Sequence, residues 1–515
     1  MILTLLLSAC TSVSDAPQVP ELAPRFLRDA LFLEQPVTGS QPAGSGHILP
    51  MPWTSGQALT LDDWSGTAPL RAECLALFSE DLGDASRLAA SGAPPPDTAL
   101  AFSPDGKTLA VGSFMGQILV LDAWSGEVLS KRTLGETMVK FLAWSADGAT
   151  LYAAEQSPDA LVHALDPSSL KSRWTLRLAD RVQSTPMPPT DDRYGLYDLP
   201  AAYGLSVLED DSLIVAAAHG WTTETGRRNQ SQVLHISPQG KVLHTFPEQP
   251  VEAIVRHPRN DGEQLLLVVT SSSDLPAPEN MPVGGVQVLS LPDLLPTASH
   301  TLEPLLPHFS KVFLWEALDI QGDRVLLGPS DGRVVLLDLS TDKSTTVELG
   351  TPVLSGEVPI ASTISTGMFY QDQALVLSSE TSIPWGAAAP ELRPPSAHPR
   401  ANAIWSYDMQ GELNWTWSGE QILEGMTPSP DGRFMVVGAG PRSSDTRRDL
   451  YGALIFDIEA KSATGEQRLS AFCATESPVF FRQAATKDGR IAVVEHPIAD
   501  QDGSIRGAYQ VTVLR

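Results

Sequence analysis

The stretch "ALAFSPDGKTLAVGSFMGQILVLDAWSGEVLSKRTL", residues 99–134, contains three short apolar runs and a more polar fourth run, separated by tight turns. Asp-Gly forms the first turn well, because glycine accepts a positive φ and aspartate bonds the local backbone. Short runs bounded by such turns are typical of antiparallel strands. The stretch therefore predicts one four-stranded antiparallel unit.

The same pattern returns along the rest of the chain. Close copies of its first half are "FLAWSADGATLYAAE" (141–155) and "GMTPSPDGRFMVVGA" (425–439), with weaker copies between them. Eight units are counted, and they start near Ala99, Phe141, Tyr203, Glu252, Glu316, Pro359, Glu424 and Pro478. Radial repetition of four-stranded sheets is typical of a β-propeller. We predict an all-β fold, a β-propeller of eight blades, with seven as the alternative because the repeats near Glu252 and Pro359 are degenerate.

A short motif near the N-terminus predicts how the ring closes. Leu-Asp-x-Trp-Ser-Gly occurs at 121–126, inside the first unit, and again at 61–66. The last repeat, near Pro478, reaches the end of the sequence without its outer half. We expect an N-terminal strand segment to complete this last blade, which would close the ring and remove its open edge.

These repeats resemble the blades of bacterial WD-repeat-like propellers, including the YVTN type, and of quinoprotein-like propellers. The resemblance rests on "AFSPDGKTLAVGS" followed by "ILVLDAWSGEVL" and covers about residues 50 to 515. It implies the fold and leaves the function open, because such blades serve many tasks.

The first twelve residues, "MILTLLLSACTS", resemble a bacterial lipobox that ends at Cys10. The resemblance implies a signal segment (1–10) and a lipid on Cys10, although the usual basic residues at the start are missing. The Pro- and Ser-rich residues 11–50 would be a flexible tether, and residues 51–515 a single propeller domain. The residue after Cys10 is Thr11 rather than aspartate, which resembles the lipoproteins that are sorted to the outer membrane. We therefore expect a lipid-anchored protein of the bacterial cell envelope, with the outer membrane favoured.

Charge and cysteine content limit the partners. The formal net charge is −26, from 61 acidic and 35 basic residues, so nucleic acid is not an expected partner. Disulfides persist in exported proteins, and Cys74 and Cys473 are a possible pair.

The connections between strands are unequal in length. The long ones fall between second and third strands or between units, which antiparallel geometry places on one face. They are residues 184–200, 219–231, 271–285, 382–402, 440–452 and 496–507. Loops on a rigid scaffold carry function more often than the scaffold, and aromatic and arginine side chains anchor many interfaces. The candidate binding residues are Tyr194, Tyr197, Trp221, Arg227, Arg228, Trp385, His398, Arg447 and Arg448.

Sequence motifs for catalysis or cofactors are weak. "GPSDG" (328–332) fits a nucleophile elbow, but it lies between two predicted strands rather than before a helix. We predict no catalytic residue, metal site or cofactor. Six tryptophans are expected to pack within blades: Trp124, Trp144, Trp174, Trp405, Trp415 and Trp417.

The function predicted is an exported, lipid-anchored propeller that binds or scaffolds another envelope protein through its insertion-rich face. One alternative is a glycan- or peptidoglycan-binding propeller, which the loop aromatics would suit. Another is an enzyme, a lyase or quinone-type dehydrogenase, that uses the central channel.

Overall fold

The computed structural model describes residues 76–85, 98–135, 137–182, 199–223, 226–251, 253–271, 285–302, 314–329, 332–349, 353–355, 358–360, 362–381, 401–418, 421–440, 450–458, 469–499 and 504–515. These residues form β-strands and turns, with one 3-10 helix at Ala179–Arg181. Over this part of the chain, no helix has the length and apolar character needed to cross a membrane.

Within the described residues, the first half of the chain contains four four-stranded units, preceded by one strand that belongs to the last unit. This strand is β1 (Ala76–Asp81). Unit 1 consists of β2 (Ala99–Phe102), β3 (Thr108–Gly112), β4 (Gln117–Asp122) and β5 (Val128–Thr133). Unit 2 consists of β6 (Met138–Trp144), β7 (Leu151–Gln156), β8 (Leu161–Leu165) and β9 (Ser172–Arg177). Unit 3 consists of β10 (Ala201–Val207), β11 (Leu213–Thr223), β12 (Gly226–Ile236) and β13 (Val242–Val251). Unit 4 consists of β14 (Ala253–Asn260), β15 (Gln264–Ser271), β16 (Gly285–Ser290) and β17 (Leu295–Thr301).

The second half repeats this arrangement and adds two small hairpins. Unit 5 consists of β18 (Leu314–Gln321), β19 (Arg324–Pro329), β20 (Arg333–Asp338) and β21 (Lys343–Glu348). The hairpin of β22 (Val353–Ser355) and β23 (Val358–Ile360) follows. Unit 6 consists of β24 (Ser362–Tyr370), β25 (Gln373–Thr381), β26 (Ala403–Asp408) and β27 (Leu413–Ser418). Unit 7 consists of β28 (Ile422–Pro428), β29 (Phe434–Gly440), β30 (Gly452–Asp457) and β31 (Leu469–Ala474). Unit 8 contains β32 (Val479–Ala485), β33 (Ile491–Glu495) and β36 (Gln510–Leu514), with the hairpin of β34 (Ile498–Ala499) and β35 (Ile505–Arg506) between the last two.

The units are arranged as a closed ring. Strands within a unit pair antiparallel, and the first strands of consecutive units contact one another around the whole ring, β32 with β2 included. These first strands form an inner ring, and the fourth strands, such as β5, alternate between partly buried and exposed residues on the outside. The fold is a β-propeller, as predicted.

Apolar clusters fill the spaces between consecutive units. Val120 of unit 1 packs in one cluster with Ala153 of unit 2, and Leu109 of unit 1 packs in another with Val511 of unit 8. Full burial of such a side chain contributes about 1.5–3 kcal/mol. Burial between neighbouring sheets, rather than inside any one sheet, therefore stabilises the ring.

The ring closes with an N-terminal strand, which confirms the prediction. β1 pairs antiparallel with β36, with Ser79 opposite Thr512, and becomes the fourth strand of unit 8. The closing strand lies at 76–81, after the repeated motif at 61–66, and that motif is outside the described residues. The number of blades stays a prediction, because the units are counted only over the described residues.

The repeat expected near Pro359 is present, and its first strand begins at Ser362, just after the small hairpin of β22 and β23. One expectation about the repeats was wrong. Third-to-fourth turns were expected to be short throughout, yet in unit 7 β30 ends at Asp457 and β31 begins at Leu469.

The six tryptophans differ in burial. Trp405, Trp415 and Trp417 are buried, as expected for blade packing, and Trp144 and Trp174 are partly buried. Trp124 is in a turn and 42% exposed, and the guanidinium carbons of Arg490 and Arg515 lie 4.5 and 4.6 Å from its ring centroid. The expectation of blade packing was therefore wrong for Trp124, which contacts the last unit from the surface of the first.

Candidate functional site

The two faces of the ring differ in their connections. We call the edge where second strands end and third strands begin the loop face, and the opposite edge the turn face. β15 ends at Ser271 and β16 begins at Gly285, while β25 ends at Thr381 and β26 begins at Ala403. The ends of the other long segments lie at the same edge. Strand direction therefore brings the described ends of all six segments to the loop face.

The turn face is mostly closed by short turns with the same polar contacts. In unit 1 the backbone N–H of Lys107 (3.0 Å) and the hydroxyl of Ser103 (2.8 Å) donate to Asp105. These donors lower the pKa of Asp105 to about 2. Asp147 and Asp431 accept equivalent bonds in units 2 and 7. These aspartates have a structural role, because their acceptors are used by the turns themselves.

Of residues 219–231, predicted as a loop insertion, the described residues 219–223 and 226–231 continue the paired strands β11 and β12 instead. β10 pairs with β11 only as far as Ala218, and β11 then continues alone with β12 through five residue pairs, from His219–Gln230 to Thr223–Gly226. At about 3.4 Å per residue, the hairpin extends roughly 17 Å beyond the sheet. The segment is thus a two-stranded extension of β11 and β12 past β10 at the loop face.

The base of this hairpin is fixed by contacts with the next unit. The hydroxyl of Ser231 accepts a hydrogen bond from the backbone N–H of Val255 in β14 (2.9 Å). His219 is 1% exposed, and its ring stacks on Trp221 with centroids 5.0 Å apart. Because its neighbour is buried, the partly exposed Trp221 is held in one orientation on the loop face.

The inner ring has a repeated irregularity. In units 2 to 8 the pairing of the first and second strands shifts at a bulge, whereas in unit 1 it is regular. In β6 the shift lies between Val139 and Phe141, in the half of the strand nearer the loop face, and in β28 it lies at the middle of the strand, between Glu424 and Met426. A bulge bends its strand and redirects a side chain.

Ionisable and aromatic side chains occupy these bulges. Lys140 Nζ lies 4.8 Å from the ring centroid of Tyr203, and the guanidinium carbon of Arg482 lies 5.1 Å from that of Phe141. Glu424 is fully buried, and its backbone oxygen accepts a hydrogen bond from Gln483 Nε2 (3.1 Å). The loop-face half of the inner wall is therefore polar.

Sequence reasoning missed this set of residues. The sequence nevertheless contained a signal. Five residues before the serine that begins the turn between first and second strands, unit 2 has Lys140 and unit 7 has Glu424, whereas unit 1 has Thr98. Charged residues at one position of an otherwise apolar repeat indicate a shared environment.

A buried carboxylate anchors the loop face of unit 8. Glu495 accepts hydrogen bonds from Thr512 Oγ1 (2.5 Å), Gln510 Nε2 (3.1 Å) and the backbone N–H of Ser477 (2.9 Å). Burial raises its pKa, against these hydrogen bonds. The hydrogen bonds of Glu495 therefore link β33 to β36 at the point where the connection that contains β34 and β35 begins.

A chain of polar groups in unit 3 superficially resembles a hydrolase triad. The hydroxyl of Ser212 donates to Asp210 (2.5 Å), and His235 Nε2 lies 2.9 Å from the same hydroxyl. Because the hydroxyl proton points to Asp210, His235 acts as the donor to Ser212 and cannot accept that proton as a base. Burial, followed by the charge of His244, lowers the pKa of His235. Within the described residues, no three His, Cys, Asp or Glu side chains are grouped to hold a metal ion.

The structure locates part of the predicted site. Trp221 lies on the protruding hairpin, and the strand register places Arg228 opposite Trp221 and Arg227 opposite Thr222. The remaining predicted binding residues lie outside the described residues: Tyr194, Tyr197, Trp385, His398, Arg447 and Arg448.

The cysteines are also only partly described. Cys473 is buried and disulfide-bonded, in an apolar cluster that Ala76 also packs against. Cys10 and Cys74 are outside the described residues, so pairing of Cys473 with Cys74 and lipidation of Cys10 stay predictions.

Comparisons with known proteins agree with the fold. A family model described as the WD40 domain of anaphase-promoting complex subunit 4 matches residues 96–147. No curated protein matches the sequence. Among solved structures, BamB from Moraxella catarrhalis is 12% identical, with 86% of this chain and 97% of that chain covered and a TM-score of 0.47. The C-terminal WD40 domain of Sif2 is 11% identical, with 85% and 97% covered and a TM-score of 0.47. The Dos1 propeller is 12% identical, with 85% and 94% covered and a TM-score of 0.49. Strand pairing establishes the fold, a β-propeller, and the family match over residues 96–147 shows that the start of the ring is WD-repeat-like.

Proposed function

We propose that this protein is a binding or scaffolding module whose protein partner docks on the loop face. The observation that carries the proposal is the difference between the faces. Short aspartate-containing turns close most of the turn face, whereas the six long connections reach the loop face. Variable connections on a rigid scaffold are where binding surfaces are usually built.

The hairpin of β11 and β12 is the part of this face best suited to a first contact. Its base is fixed by Ser231 and Val255, and it presents Trp221 on a buried His219. An anchor that is already ordered loses little conformational entropy on binding. Tryptophan is also the side chain most enriched among residues that dominate binding energy.

Two exposed tryptophans on opposite faces give a matched test. Trp221→Ala removes the proposed anchor, and Trp124→Ala removes an exposed tryptophan from the turn face. Cross-linking and pull-down from membrane extracts of the native host, followed by mass spectrometry, should recover a partner with the unmodified protein. We expect Trp221→Ala to weaken capture at least tenfold, since anchor residues contribute about 2 kcal/mol or more. Trp124→Ala should leave capture unchanged. Equal capture by both variants would contradict docking on the loop face.

We also propose that the protein is exported and anchored by a lipid on Cys10. The support is the Leu-Ser-Ala-Cys sequence at 7–10 and the Pro- and Ser-rich residues 11–50. A flexible chain of that length has an end-to-end distance of roughly 35 Å, enough to let either face of the ring turn toward a partner. Cys10→Ser should move the protein from the membrane fraction to the soluble fraction. A Cys10→Ser protein that stayed with the membrane would rule the anchor out.

A further inference from the structure

We infer that Cys473 of unit 7 is joined by a disulfide to Cys74, and that this bond closes the ring covalently. Cys473 is disulfide-bonded in a chain with three cysteines, and the other two, Cys10 and Cys74, lie outside the described residues. The bond therefore leads to one of these two. The inference concerns how the ring is held together and does not depend on partner docking.

Cys473 faces unit 8 from the outermost strand of unit 7. It is 0% exposed in β31, where it lies opposite Ala453 of β30. Both residues belong to the apolar cluster that fills the space between units 7 and 8, together with Val493 of β33 and Leu514 of β36. The side chain of Cys473 thus points across the boundary between two units rather than toward solvent.

The closing strand β1 begins at the other side of the same cluster. Ala76, its first residue, pairs with Leu514 and packs against the cluster that contains Cys473. Cys74 precedes Ala76 by two residues, which span at most about 7 Å. Side chains of an extended chain alternate between two faces, so positions 74 and 76 share the face toward unit 7. Cys74 is therefore within reach of Cys473, whereas Cys10 is separated from Ala76 by a much longer stretch of chain.

The bond changes what holds β1 in the ring. Within the described residues, β1 joins unit 8 by pairing with β36 and by packing against its neighbours. A link from 74 to 473 adds a covalent tie to unit 7 and encloses units 1 to 7 in one loop of chain. If β1 separates from β36, its start stays tied to the neighbouring outer strand. Cross-links that close long loops restrict the unfolded chain most.

Formation of the bond is an oxidation. The two thiols lose their hydrogens and one S–S bond forms, while a disulfide of the oxidant, oxidised glutathione in vitro, is reduced to two thiols that take up both hydrogens. Because Cys473 is fully buried in the closed ring, the bond is protected from reductants once it has formed. A disulfide of this kind suits an oxidising compartment, which agrees with the proposed export.

Peptide mapping of the full-length protein tests the pairing. The protein is refolded with reduced and oxidised glutathione, the monomer is isolated, and remaining thiols are alkylated. Trypsin then releases Cys74 within residues 72–87, Cys473 within residues 469–482 and Cys10 within residues 1–25. We expect 72–87 and 469–482 to be recovered as one linked species that separates on reduction. A link from 469–482 to the Cys10 peptide, or an alkylated Cys473, would overturn the inference.

Alanine substitutions test whether the bond holds the ring closed. Cys74→Ala should lower the melting temperature by about 3 °C or more, and Cys10→Ala is the matched control that should not. Adding Cys74→Ala to Cys473→Ala should change little further, because the bond is already lost.

Hydrogen exchange locates the effect. In Cys74→Ala, exchange in β1 should be at least tenfold faster than in the unmodified protein, while exchange in β15 of unit 4 should be unchanged. Reduction of the unmodified protein should reproduce this pattern, and reduction of Cys74→Ala should add nothing to it. Equal exchange of β1 in Cys74→Ala and Cys10→Ala would overturn the role of the bond in closing the ring, even where the linked peptide is found.

Discussion

The closing seam between units 8 and 1 gives a quantitative prediction. Tyr509 is 2% exposed, and its hydroxyl oxygen lies 2.5 Å from Thr98 Oγ1 and accepts the backbone N–H of Phe114 at 2.9 Å. Tyr509→Phe removes both contacts across the seam. Depriving a buried N–H of its acceptor costs about 1–3 kcal/mol, and a lost hydroxyl pair costs about 1 kcal/mol more. We therefore expect Tyr509→Phe to lower the free energy of unfolding by about 2–4 kcal/mol.

A double-mutant cycle isolates the hydroxyl pair. Thr98→Val removes the bond to Tyr509 and should cost about 1 kcal/mol or more. In the double variant this contribution is lost only once, so the coupling energy between the two positions should be about 1 kcal/mol. Urea unfolding followed by tryptophan fluorescence measures each value. Tyr152→Phe is the control, because that hydroxyl is partly buried and donates to the carbonyl oxygen of Asp211 between units 2 and 3 (3.0 Å). A coupling energy near zero, or a loss for Tyr509→Phe no greater than for Tyr152→Phe, would refute the seam geometry.

Three further changes test other parts of the ring. Gly204→Ala places a Cβ 2.1 Å from Cδ of Pro258, so it should destabilise by about 1–3 kcal/mol in urea unfolding, and Gly367→Ala, whose nearest atom is at 3.3 Å, should cost less. Trp124→Ala removes two guanidinium–ring contacts and should lower stability by about 1–2 kcal/mol, a value that calorimetry can check. The folded-state pKa of His235 is lowered, so as the pH falls this group is protonated in the unfolded chain before it is protonated in the folded chain. Its contribution to the free energy of unfolding is therefore complete above about pH 6.5 and is lost progressively below that pH. The melting temperature should therefore fall less between pH 7.5 and 5.5 in His235→Gln than in the unmodified protein, and equal falls would contradict this role.

The fold could be predicted because its signals are local and repeated. Glycine at 106 and at 148 follows an aspartate in the turn between first and second strands, and both adopt the positive φ that such turns require (69° and 71°). Such signals mark where strands end without reference to distant residues. The position of the long connections then follows from counting strands.

The charged positions 140 and 424 could have been noticed in the sequence, but the contacts of the inner ring could not be predicted, because its residues meet only through the geometry of the ring. Lys140 and Tyr203 are in different units, and Arg482 and Phe141, which contact each other, are separated by about two thirds of the chain. A bulge also has no sequence signature of its own here, since the residues on either side read as an ordinary strand. The hairpin at 219–231 was misjudged for a different reason: its pairing is backbone pairing, and its polar side chains lack the alternation that predicts a strand.

Ring closure also imposes an order in time. Ser79 in β1 bonds with Thr512 in β36, 433 residues later, with their hydroxyl oxygens 2.7 Å apart. At a synthesis rate of about 5–20 residues per second, β1 waits roughly 20 to 90 seconds for its partner. Throughout that interval an exposed strand edge is present at each end of the growing sheet array, where strands of other chains can pair. The protein is therefore most vulnerable to aggregation before its last strand is made, and a factor that shields β1 early would raise the yield of folded protein more than one that stabilises the finished ring.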